Sequence, residues 1–151
     1  MALLGSPVDK ARTLVLDAIK GLGSNPDQSR IGPDTWFVAK GSAAVVIRLV
    51  AQDPKSKYAF LQIASPVMKV PGAAGFHEHL MKLNYEMGGL ATFALTPTGE
   101  VHLTAARTID GLNAGEISQL VAQIAHFSDL YDDKLLAQYG RQHAIHGGQR
   151  A

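Results

Sequence analysis

Apolar residues recur along the chain in two periods, and the switches between them divide it into elements. Val8, Ala11, Val15, Ala18 and Leu22 follow helical spacing. Ser6, Pro7 and Asp9 stand ahead of them as a cap, a first-turn proline and an acidic third position. A first helix over about 7–20 is predicted. The breaker-rich stretch GLGSNPDQSRIGPD ends it and reads as a loop leading to Trp36. Three β-branched and aromatic runs follow, TWFVAK, SAAVVIRLVAQ and KYAFLQIAS, separated by short turn signals, so an antiparallel meander is expected. In the middle run Val45, Ile47 and Leu49 alternate with Val46, Arg48 and Val50, and only Arg48 is plainly polar. Both faces of that strand are therefore expected to be at least partly covered, one of them by a partner.

The stretch SPVMKVPGAAG, bounded by prolines, reads as a crossover that leaves the sheet, and Ser65 as a turn residue ahead of Pro66. Phe76, Leu80, Leu83 and Met87 then form one narrow stripe of a second helix, beginning near Ala74, ended by Gly88 and Gly89 and packed on the sheet. LATFAL and EVHLTA alternate cleanly around TPTG and predict a hairpin. Asn113 and Glu116 form a second cap signal. It opens a third helix with the stripe Ile117, Leu120, Val121, Ile124, Ser128, Tyr131 and Leu135, reaching Tyr139. At about 1.5 Å per residue this helix is close to 40 Å long, so part of it should overhang a sheet of short strands. The expected fold is a single α+β domain, order α-β-β-β-α-β-β-α, with an antiparallel sheet packed against helices. It spans residues 1–140 and is followed by a flexible tail, 141–151.

Composition narrows the chemistry. The chain has 151 residues, 46% hydrophobic and 18% charged, and 14 basic side chains face 13 acidic ones for a net charge of +1. That is an ordered globular chain, and its basic residues gather into no stripe that could neutralise phosphates, so no direct nucleic-acid binding is expected. Without cysteine there are no disulfides, thiolate metal sites or cysteine nucleophiles. No apolar run has transmembrane length and no signal-peptide pattern opens the chain, which predicts a cytoplasmic protein with no membrane partner.

The stretch FHEHLMKLNYEMG concentrates the candidate chemistry. On a helix His77 and His79 lie about 200° apart and cannot share one metal ion. Both fall at the borders of the Phe76 stripe, where an imidazole can bury its ring and satisfy one nitrogen. Asn84 shares a flank with His77 and Met81. Tyr85 lies nearly opposite the stripe, so Tyr85 with Met81 is either an interface or a sheet-edge cap. His143 and His146 have i, i+3 spacing but stand among glycines without a further ligand. His102 and His126 read as surface or border positions. Asp9 and Glu116 belong to caps, Asp27, Asp34, Asp53 and Asp110 to loops, and Asp129, Asp132 and Asp133 to an exposed helix face. No nucleophile elbow, phosphate loop or dinucleotide fingerprint is present. No catalytic residue, cofactor or metal is expected. The alternative is a small enzyme or ligand-binding protein using His77, Asn84 and Tyr85.

Taken together, Pro66, Val67 and Pro71, then Leu80, Leu83, Asn84 and Tyr85, then Phe93, Ala94, Leu95, Gly99 and Val101 form a Leu-Asn-Tyr helix end leading into a Phe-Ala-Leu strand. With the element order, this pattern resembles the YbjN family, whose fold is similar to that of type III secretion chaperones. The resemblance covers about 8–139. It implies a non-enzymatic homodimer that binds another protein as a chaperone-like or regulatory adaptor. Surplus apolar surface points the same way. Val46, Val50, Phe127, Leu130 and Tyr131, beside or opposite the core stripes, join Met81 and Tyr85 as interface candidates.

Overall fold

In the computed structural model, which describes residues 5–51 and 59–145, the Ser6 hydroxyl accepts from Asp9 N–H at 3.1 Å and the Asp9 carboxylate accepts from Ser6 N–H at 3.2 Å. This reciprocal box starts α1 (Pro7–Gly21), which buries Val8, Ala11, Val15, Ala18 and Ile19. The stretch expected to be a loop is more ordered than that. The Asn25 side chain caps a one-turn helix, α2 (Pro26–Ser29), and β1 (Arg30–Gly32) pairs antiparallel with β2 (Thr35–Lys40). A proline just behind a capping asparagine is a helix start, and a breaker count does not register it.

Asp34, in the β1–β2 turn, has φ 47. Arg12 on α1 grips its carboxylate with two hydrogen bonds, of 2.7 and 3.0 Å, which ties the edge hairpin to the helix. The hydrogen bonding from Arg12 holds the Asp34 carboxyl below its usual value of 3.8. A carboxyl depressed in the folded state contributes stability above its unfolded value and loses it as pH falls. Asp34→Asn should therefore destabilise the protein at neutral pH by about 1 kcal/mol or less, the range of solvent-accessible pairs. Thermal melts of the two proteins should converge as pH drops below 3.8. A gap that stays constant through acid would contradict this account.

The expected meander is present: β2, β3 (Ala43–Val50) and β4 (Phe60–Lys69) are consecutive antiparallel neighbours. β4 runs on through the stretch taken for a crossover. Its ladder with β3 is registered only to Ala64, and its register with β6 (Glu100–Thr108) slips between Pro66 and Met68. The bulge gives proline a place in a strand that still pairs on one side. Ser65 is consequently a buried strand residue rather than a turn residue, and its hydroxyl donates to Ser128 of the last helix at 3.0 Å. The hairpin of β5 (Thr92–Leu95) and β6 completes a six-stranded sheet of order β1-β2-β3-β4-β6-β5.

α4 (Ala114–Tyr139) starts at the predicted cap, with Asn113 Oδ1 accepting from Glu116 N–H at 2.9 Å. It crosses β2, β3, β4 and β6, with α1 packed beside it. Trp36, Ile47, Leu61, Ile63 and Leu103 from the sheet close against Val15, Ile19, Ile117, Val121 and Ile124 from the helices, all at most 2% exposed. Each such burial contributes about 1.5–3 kcal/mol. The predicted overhang is absent, since Leu135 and Leu136 are buried and Tyr139 packs on Phe76 and His79. Asp132, read as exposed, is 3% exposed.

The helix predicted to lie on the sheet, α3 (Phe76–Met87), instead flanks its β5 edge. A short 3₁₀ turn, Arg141–His143, follows α4. The remaining tail and His146 fall outside the described residues, as does Asp53. All helices pack on one face of the sheet or along its edge, and no described element covers the other face.

Candidate protein-interaction surfaces

The pleat and register define what the uncovered face presents. One row across the strands reads Phe37, Val46, Ala64, Thr104 and Thr92; the next reads Thr35, Arg48, Gln62 and Ala106. Val50 and Phe60 pair beside them, and Pro66, His102 and Ala94 form a further row. Small residues at the centre leave a depression of about 490 Å³, bounded by Thr35, Val46, Arg48, Gln62, Pro66 and Thr104 among others. The Arg48 guanidinium donates to Gln62 Oε1 at 2.9 Å, and His102 Nε2 lies 3.0 Å from Glu100 Oε1. Val46 and Val50 are thus together on this face. Phe37, 42% exposed, and Phe60 belong with them, although sequence reasoning did not select them. The alternation of Trp36 and Val38 inward with Phe37 outward was the available signal.

The second surface is the outer row of α3. Gly75 and Gly88, both at positive φ, bracket twelve residues that bury Phe76, Leu80 and Met87. Opposite them Met81 is 66% and Tyr85 88% exposed, one turn apart. Leu90 and Leu95 are further exposed apolar residues, and Leu95 borders the depression on the sheet. The α4 candidates are different in kind. Tyr131 meets Phe93 edge to face at 5.6 Å and stacks on Phe127 at 6.4 Å, so both rings are partly committed within the chain, leaving Leu130 as the exposed member. Burial, with the Glu86 carboxylate as a smaller contribution, raises the pKa of the Tyr131 phenol.

The polar residues of α3 do not converge. His77 is exposed, with its ring edge-on to Phe76, while His79 reaches the Tyr139 hydroxyl through Nδ1 at 2.8 Å. The Asn84 carboxamide engages the main chain of Phe93 at both ends, accepting from N–H at 2.7 Å and donating to C=O at 3.4 Å. Tyr85 points outward, about 12 Å along the axis from His77 at the rise of a helix. Among the described residues no cluster of three histidine or carboxylate side chains is placed to hold a metal ion, and no helix is long and apolar enough to cross a membrane.

No family model and no curated protein matches the sequence. Solved structures do. The chain is similar to one in the HopA1–SchA chaperone–effector complex, at TM-score 0.62 and 13% identity over 82% of this chain and 93% of that one. It is also similar to a chain of the ExsC–ExsE complex, at TM-score 0.59 and 15% identity over 83% and 93%. The type III secretion chaperone SycH of Yersinia pestis, solved with a fragment of YscM2, matches at TM-score 0.55 and 11% identity over 79% and 97%. At such identities the likeness is one of architecture: this chain is a single α+β domain with the fold of the type III secretion chaperones.

Proposed function

We propose that the protein is a non-enzymatic, cytoplasmic, homodimeric protein-binding module, a chaperone-like or regulatory adaptor for a partner protein, related to the YbjN proteins its sequence resembles. The carrying observation is the apolar surface left uncovered once the core has closed, above all Met81 and Tyr85 on the outer row of α3. Patches of this kind on a folded chain mark association. Structures of the same fold supply the analogy: SchA and SycH were solved with protein partners.

A two-fold pairing of α3 rows would place Met81 and Tyr85 of one copy against those of another, as an isologous interface requires. Light scattering at tens of micromolar should then give twice the chain mass. Met81→Asp with Tyr85→Asp should weaken pairing at least about tenfold, because two carboxylates would be buried without partners. Circular dichroism should be unchanged, since both side chains are exposed. A wild-type protein that stays monomeric, or a double variant that still dimerises, sinks this reading of α3.

A further inference from the structure

We infer that Met81 is a site of reversible oxidation, and that its conversion to the sulfoxide loosens the pairing of α3 rows; this rests on the homodimer reading above. The chain holds four methionines and no cysteine, so thioethers are its only sulfur groups. Met68 and Met87 are 0% and 3% exposed, Met81 is 66% exposed, and Met1 lies outside the described residues. Trp36, the single tryptophan, is buried as well. Oxidation follows exposure, so an oxidant arriving from solvent meets Met81 first among the described methionines.

The neighbour of this sulfur suits the oxidised product. Asn84, one turn on, carries two N–H donors on Nδ2. That nitrogen donates to Phe93 C=O at 3.4 Å and lies 4.0 Å from Met81 Sδ. The carboxamide is fixed from its other end, where Oδ1 accepts from Phe93 N–H at 2.7 Å. A thioether accepts only weakly, whereas the oxygen of a sulfoxide is a strong, polar acceptor for the same donor.

With hydrogen peroxide as the oxidant, a lone pair of Sδ attacks one peroxide oxygen. The S–O bond forms as the O–O bond breaks, and the departing hydroxide takes up the proton left on the transferred oxygen and leaves as water. Sulfur loses two electrons and the peroxide gains them. A thiol-dependent sulfoxide reductase returns that oxygen as water while two thiols become a disulfide. The product is a polar group in the middle of the α3 row, and two-fold symmetry places it twice in each interface. Within a pair the sulfur is covered, so oxygen transfer passes through the separated chain and hinders its return.

Peroxide titration of the wild-type chain tests this. Catalase removes the oxidant, peptide mapping places the oxygen, and light scattering over a dilution series gives the dimer constant. Met81 should carry sulfoxide before Met68 or Met87, and more slowly as the chain concentration rises. The oxidised protein should pair about tenfold more weakly with unchanged circular dichroism, and reductase with thiol should restore pairing. The side-chain amide resonances of Asn84 should move on oxidation. Met81→Leu retains the other three methionines, and its own dimer constant should be the same before and after peroxide. Met68 or Met87 oxidising as fast as Met81, Asn84 resonances that stay in place, an oxidised wild type that pairs as tightly as before, or an equal peroxide-induced loss in Met81→Leu overturns the assignment and leaves the pairing of α3 standing. An untreated protein that is monomeric at every concentration removes the pairing itself, and the regulation with it.

Discussion

Phe76→Ala is expected to lower stability by about 3–5 kcal/mol, the cost of emptying a fully buried aromatic site. Phe76 is 0% exposed and meets Tyr139 edge-on, with ring centroids 4.8 Å apart and planes at 89°. The contact joins the first turn of α3 to the last turn of α4. α3 begins at Gly75 with no side-chain cap, so the burial of Phe76 and the His79–Tyr139 hydrogen bond hold its start in place. Phe76→Leu should cost much less, because most of the volume remains. Tyr139→Phe should cost about 1 kcal/mol, the value of one hydrogen bond. Denaturant unfolding ranks the three variants, and hydrogen exchange should show the amides of α3 opening first in Phe76→Ala. A loss below about 1 kcal/mol would mean that the site collapses around the gap and that α3 is anchored elsewhere.

That joint also shows where the sequence could be read and where it could not. Helix ends were legible where a cap is local: Ser6 with Asp9, and Asn113 with Glu116, place the starts of α1 and α4 within a few residues of their signals. The hairpin was legible because Phe93, Val101 and Leu103 alternate against polar neighbours. Pro66 misled because the cost of a proline in a strand depends on its neighbours. β3 has left the ladder by that point and a bulge absorbs the register, both of them properties of the assembled sheet. Ser65 and Asp132 were misread for a related reason: a polar residue gives no local sign that another element closes over it. For Ser65 the closing partner is Ser128, 63 positions away.

The candidate surfaces were legible to the degree that one element defines them. Tyr85 and Met81 follow from helix geometry alone, and Val46 with Val50 from alternation in one strand. Phe37, Ala64 and Thr104 become their neighbours only through cross-strand register. Arg48 stood out as the one plainly polar residue of its strand, but that it lies between Thr35 and Gln62 is set only by the register. A face shared by five strands is a tertiary object, and a linear pattern shows only its rows.

Asn84→Ala is expected to destabilise the protein by about 2 kcal/mol and, more tellingly, to make it aggregate. The Asn84 carboxamide copies the donor and acceptor of a further strand, binding the N–H and C=O that Phe93 turns outward from the β5 edge. Phe93 itself is 6% exposed and braced by Tyr131, so its backbone cannot swing out to find water freely. Removing the carboxamide strands both groups, each worth about 1 kcal/mol or more once left without a partner. It also uncovers an edge able to template strand addition. Asn84→Asp keeps the acceptor and loses the donor, so it should fall between wild type and alanine. Urea unfolding gives the stability order, and static light scattering followed over hours at fixed concentration gives the association. If Asn84→Ala matched wild type in both, the edge would have to be protected by something other than this side chain. If it aggregated as expected, α3 would be serving two ends at once. Its inner flank closes the sheet against indiscriminate pairing, while Met81 and Tyr85 stand exposed on its outer row.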